Sequence, residues 1–81
     1  MLRDYAWAMS EDLLSATAEQ YEASARELDD AAAHLRVAAG HFRDRDVARG
    51  CAHAFAAYGH MRVAQRQIDN HAVEHRLKAR V

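Results

Sequence analysis

The sequence predicts an all-α protein, an antiparallel hairpin of two long helices that completes a four-helix bundle by dimerisation. Three observations point there. Large apolar residues recur seven apart at Trp7, Leu14, Tyr21, Leu28, Leu35 and Phe42, and Ala18, Ala25, Ala32 and Ala39 follow four residues after the rungs from Leu14 onward. That alternation of four and three is the a/d heptad of a coiled coil. Helix breakers are nearly absent, with no proline and only Gly40, Gly50 and Gly59, while alanine dominates the apolar half. Such a composition suits helices and not strands. Finally, one polar run, Arg43-Asp44-Arg45-Asp46, separates two periodic segments.

The whole chain, 1–81, reads as one helical domain. Helix 1 is expected over about 4–42, capped by Asp4 or, for a later start, by Ser10 with Glu11 and Asp12 in the first turn. The turn falls at about 40–48. Gly40 is the natural residue to end helix 1 in a left-handed conformation, and Asp44 or Asp46 can cap the next helix. A single long helix kinked here is the alternative. Helix 2 is expected over about 47–78, with a main stripe of Val47, Cys51, Ala54, Tyr58, Met61, Gln65, Ile68, Ala72 and His75. In a hairpin Phe42 then faces Val47, Leu28 faces Met61 and Tyr21 faces Ile68, and Cys51 is a small buried hydrophobe. A second stripe, Ala52, Ala56, Val63, Val73 and Leu77, needs a cover of its own. It is therefore the expected interface with a second copy, or with a helical partner protein.

Charge is distributed unevenly. Residues 1–30 carry eight acids against Arg3 and Arg26, net −6, and residues 31–81 carry nine bases against four acids, net +5. A hairpin lays these halves side by side as complementary surfaces. The rival reading of the basic end, with Arg62, Arg66, Arg76, Lys78 and Arg80, is a nucleic-acid arm. A single Cys51 permits no intrachain disulfide and fits a reducing compartment. No classical signal peptide or membrane-length apolar run is visible, so a cytoplasmic location, or secretion by a non-classical route, is expected.

The motif closest to chemistry is His71-Ala72-Val73-Glu74-His75, which reads H-x-x-E-H. On a helix His71 and His75 share a face and are candidate zinc ligands, with Glu74 as a base. No third ligand suggests itself, and two helices hardly wall a cleft. No nucleophile constellation or phosphate loop is present, so no cofactor and no catalytic residue is assigned. The class expected is a non-enzymatic protein–protein interaction module, and a metal-binding or metal-dependent activity at His71, Glu74 and His75 is the alternative. Six histidines are many for this length. They are expected at the rim of the helix contacts, half buried and half wet; a pH-sensitive interface is the other reading.

From the turn into helix 2 the chain reads Ala48-Arg49-Gly50-Cys51-Ala52-His53-Ala54-Phe55. This resembles the Trp-x-Gly family of small type VII (ESX-like) secretion proteins, and Gly50, Ala52 and Phe55 carry the resemblance. It implies a helical hairpin that works by pairing with another helical protein. Ala48 stands where that family has its tryptophan. The family's C-terminal Tyr-x-x-x-Asp/Glu export signal has no counterpart, since the five residues from Tyr58 end in Arg62.

Overall fold

An almost unbroken run of helix formers gives two long helices in the computed structural model, which describes residues 11–77. Helix α1 spans Glu11–Arg43 and helix α2 spans Val47–Arg76. They pack against each other as an antiparallel pair, and no strand occurs among the described residues. Asp4, Trp7 and Ser10 at one end and Lys78 to Val81 at the other lie outside the described residues.

The turn is built from three residues. Asp46 N–H donates to the His41 carbonyl at 2.8 Å, and Arg45 N–H donates to that of Phe42 at 3.1 Å. This is the paired closure of a Schellman motif, whose residue after the cap must be left-handed. Arg45 occupies that position with φ 63°. Asp46 then caps α2, its carboxylate accepting from Arg49 N–H at 3.1 Å. One aspartate both closes the first helix and opens the second.

Gly40 does not take the terminating role that the sequence suggests. Helix α1 continues through it to Arg43, its φ is not positive, and a Cβ there would meet nothing within 4 Å. Glycine inside a helix costs backbone entropy. Gly40→Ala is thus expected to raise stability by up to about 1 kcal/mol. Arg45→Gly is expected to stabilise by about 1 kcal/mol, because it relieves the steric cost of a left-handed side-chain-bearing residue. Thermal unfolding of both variants checks the turn: if Gly40→Ala lowered the melting temperature and Arg45→Gly left it unraised, helix α1 would end at Gly40.

The largest departure from expectation concerns what lies between the helices. The heptad ladder predicts Leu14, Tyr21, Leu28, Leu35 and Phe42 as core, yet each is roughly half exposed, as are Met61 and Ile68 on α2. The buried residues are Ser24, Ala31 and Ala38 on α1, with Gly50, Ala57 and Ala64 on α2. Each set recurs at seven-residue spacing, so each forms a line along its helix. The lateral register is close to the expected one, since Leu28 and Met61 line one groove and Tyr21 and Ile68 another. It is the rotation that differs: the large side chains flank the seam instead of filling it. Small residues let the two backbones approach closely. At Gly50 the neighbour is the Phe42 ring: an added Cβ would lie 2.7 Å from it, so the ring would have to move aside.

Cys51 falls one position past that line and is exposed. The hairpin is one helix layer thick, with Cα extents of 58 × 25 × 12 Å.

A histidine seam and an open apolar face

The two edges of the alanine seam have opposite chemistry. On one edge lie Glu27, His34 and His41 of α1 with His53, His60 and Gln67 of α2. Their rings form a ladder across the helices. His41 stacks on His53 with centroids 5.3 Å apart, His53 lies 5.2 Å from His34, and His34 stacks on His60 at 5.4 Å. The Nδ1 atoms of His34 and His53 are 3.0 Å apart. His60 Nδ1 ends the run on the Glu27 carboxylate at 2.6 Å. Further toward the open end, the Ser24 hydroxyl donates to the Gln67 side-chain carbonyl, and the Tyr21 hydroxyl bonds His71 Nδ1 at 2.7 Å. No polar side-chain atom buried among the described residues lacks a partner, as a sound interior requires.

These four histidines have intermediate exposure, as rim residues do. Their direct ring-on-ring contact was not foreseen. The signal was there in the sequence, since His34 and His41 lie seven apart, as do His53 and His60.

On the other edge the seam is bordered by Leu14, Tyr21, Leu28, Leu35 and Phe42 of α1 and by Met61 and Ile68 of α2. Leu28, Tyr58, Met61 and Ile68 line a shallow groove there. Phe55, at 76 % exposure, points away from the seam. Among the described residues no large side chain is fully buried anywhere. Burying a leucine, isoleucine or phenylalanine completely contributes about 1.5–3 kcal/mol. A lone hairpin with an alanine interior forgoes most of that.

The stripe Ala52, Ala56, Val63, Val73 and Leu77 sits elsewhere on α2. Ala52 is exposed, Ala56 is half-buried, and Val63, Val73 and Leu77 are 40 %, 53 % and 73 % exposed. Within the H-x-x-E-H motif the residues are separated by role. His71 is engaged with Tyr21 at the seam, whereas Glu74 and His75 are exposed. No group of three or more histidine, cysteine or acidic side chains among the described residues is arranged to hold a metal ion. Neither helix is long and apolar enough to cross a membrane.

The fold and its surfaces thus define a two-helix hairpin with a small-residue interior, one histidine-rich edge and one open apolar face. Compared with known proteins, the chain matches no family model, no curated protein and no solved structure.

Proposed function

We propose that this protein is a non-enzymatic interaction module whose apolar face packs on a further layer of helices, giving a four-helix arrangement. The observation that carries this reading is the inverted core. Alanine, serine and glycine are inside, and the heptad ladder of large residues is outside. A contiguous apolar surface of this extent marks an interaction site in a soluble protein. Coiled-coil spacing, with alanine between the large rungs, specifies a helix as what covers it.

The resemblance to ESX-like small proteins belongs to the same reading. Those proteins also act by helical pairing, and here the Gly50 that carries part of the resemblance lies against Phe42 just past the turn. An ESX-like role therefore forms part of the proposal.

The test is the unfolding of the isolated chain. If stability resides in a helix layer shared between chains, unfolding is either concentration-dependent or, without a partner, poorly cooperative. A monomer that melts cooperatively at a concentration-independent temperature would remove the reading.

A further inference from the structure

Helix α1 carries two heptad seams, and the hairpin uses only one. The inner seam runs through Ser24, Ala31 and Ala38, with Glu27 and His34 beside them, and faces α2. The outer seam alternates the large rungs with Ala18, Ala25, Ala32 and Ala39. In a heptad frame its centre lies roughly 80° around the helix from the inner one. It therefore points out of the plane of the hairpin, where the rungs are about half exposed. A helix with two such seams is built to have two helical neighbours.

We propose that the second neighbour is α1 of another copy of this chain, running antiparallel about a two-fold axis beside Leu28. This rests on the helix-pairing reading above and names its occupant. Self-pairing in a closed dimer requires a surface complementary to itself after a two-fold rotation. The described ladder meets that condition with Leu28 at its centre, because Leu14 then lies opposite Phe42 of the second copy and Tyr21 opposite its Leu35. The rungs from Leu14 to Phe42 are 28 residue steps apart, a strip of about 42 Å at 1.5 Å per residue. The charges on the open border of this seam agree with the antiparallel direction. Glu22 and Ser15 border its first half and Arg36 and Arg43 its second. Rotation places Glu22 across from Arg36 twice over, whereas a parallel pair would set like charges together along the whole border. Asp29, beside the axis, is the one acid that meets its own copy. On α2, Met61 shares the groove with Leu28, so the same axis passes both helices and brings the two apolar faces together. The histidine edges are left on the outside.

Cross-linking at the axis tests this. In a Cys51→Ser background, Leu28→Cys should form a disulfide-linked dimer with retained helicity, because only a residue at the axis lies near its own copy. Tyr21→Cys alone should cross-link poorly, but an equimolar mixture of Tyr21→Cys and Leu35→Cys chains should link to each other. Sedimentation equilibrium of the unmodified protein gives the independent reading of a dimer. A dimer whose Leu28→Cys form does not cross-link overturns the α1–α1 arrangement while the helix-pairing function stands. The same holds if Val63→Asp with Val73→Asp abolishes the dimer and Leu28→Asp does not, since that moves the interface to the other stripe of α2. A poorly cooperative monomer that orders only with a foreign helix overturns the second copy alone. A cooperatively folded monomer overturns both.

Discussion

Replacing Ala57 with leucine is expected to cost about 3 kcal/mol, because the added methyl groups have no space between two helices in close approach. Ala57 has no exposed surface at all, and Ala64, one heptad on, has 1 %. The helices must separate to admit the larger side chain, and separation breaks the histidine contacts along the whole seam. Stabilities of small domains are only a few times larger than this cost. Ala33→Leu is the control, since Ala33 is exposed on the outer side of α1 and the change should be nearly silent. Chemical denaturation of the two variants decides the matter. Equal stability for both would mean that the alanine seam is not closely packed.

The second large effect depends on concentration. Leu28→Ala is expected to cost about 2–5 kcal/mol where a further helix layer covers the residue, as for any truncated core leucine. In an uncovered hairpin, where Leu28 is 46 % exposed, most of that cost should vanish. Measuring the variant against the parent across a dilution series separates the cases. A difference that stays constant on dilution would show that nothing packs over Leu28. The sequence alone assigns the full cost to the hairpin itself, and the half-exposed position of the side chain corrects that.

The reason for the correction lies in what hydrophobic periodicity measures. It finds the most apolar stripe on a helix, whichever chain covers it. The Leu14–Phe42 ladder is that stripe, so the helix class and the antiparallel pairing are legible, while the polar run narrows the cap of the second helix to Asp44 or Asp46. The closing seam is not legible, because Ser24, Ala31 and Ala38 are too small and mild to stand out, although their seven-residue spacing matches the ladder's. The turn falls within the expected 40–48, but the residue that ends the first helix is hidden for a related reason. Glycine is the usual left-handed residue, and a chain that puts Arg45 there leaves Gly40 as a false signal. The histidines are legible as rim residues, and the seven-residue spacing puts His53 and His60 on one face of α2, but the stack between helices is not legible, since only the rotation of both helices decides that.

That stack has a consequence in where its protons can sit. A neutral imidazole holds one proton, on either nitrogen, and an imidazolium holds two. At 3.0 Å, the contact between the Nδ1 atoms of His34 and His53 requires one nitrogen to carry hydrogen and the other to be bare. His60 must hold a proton on Nδ1 to donate to Glu27, and its ring lies on that of His34. The tautomers of His34 and His53 are thus chosen jointly, by the same closure that brings the two helices together. Nitrogen-15 chemical shifts should show one Nδ1-protonated and one Nδ1-bare ring in the His34–His53 pair, and loss of that inequality should accompany any opening of the hairpin.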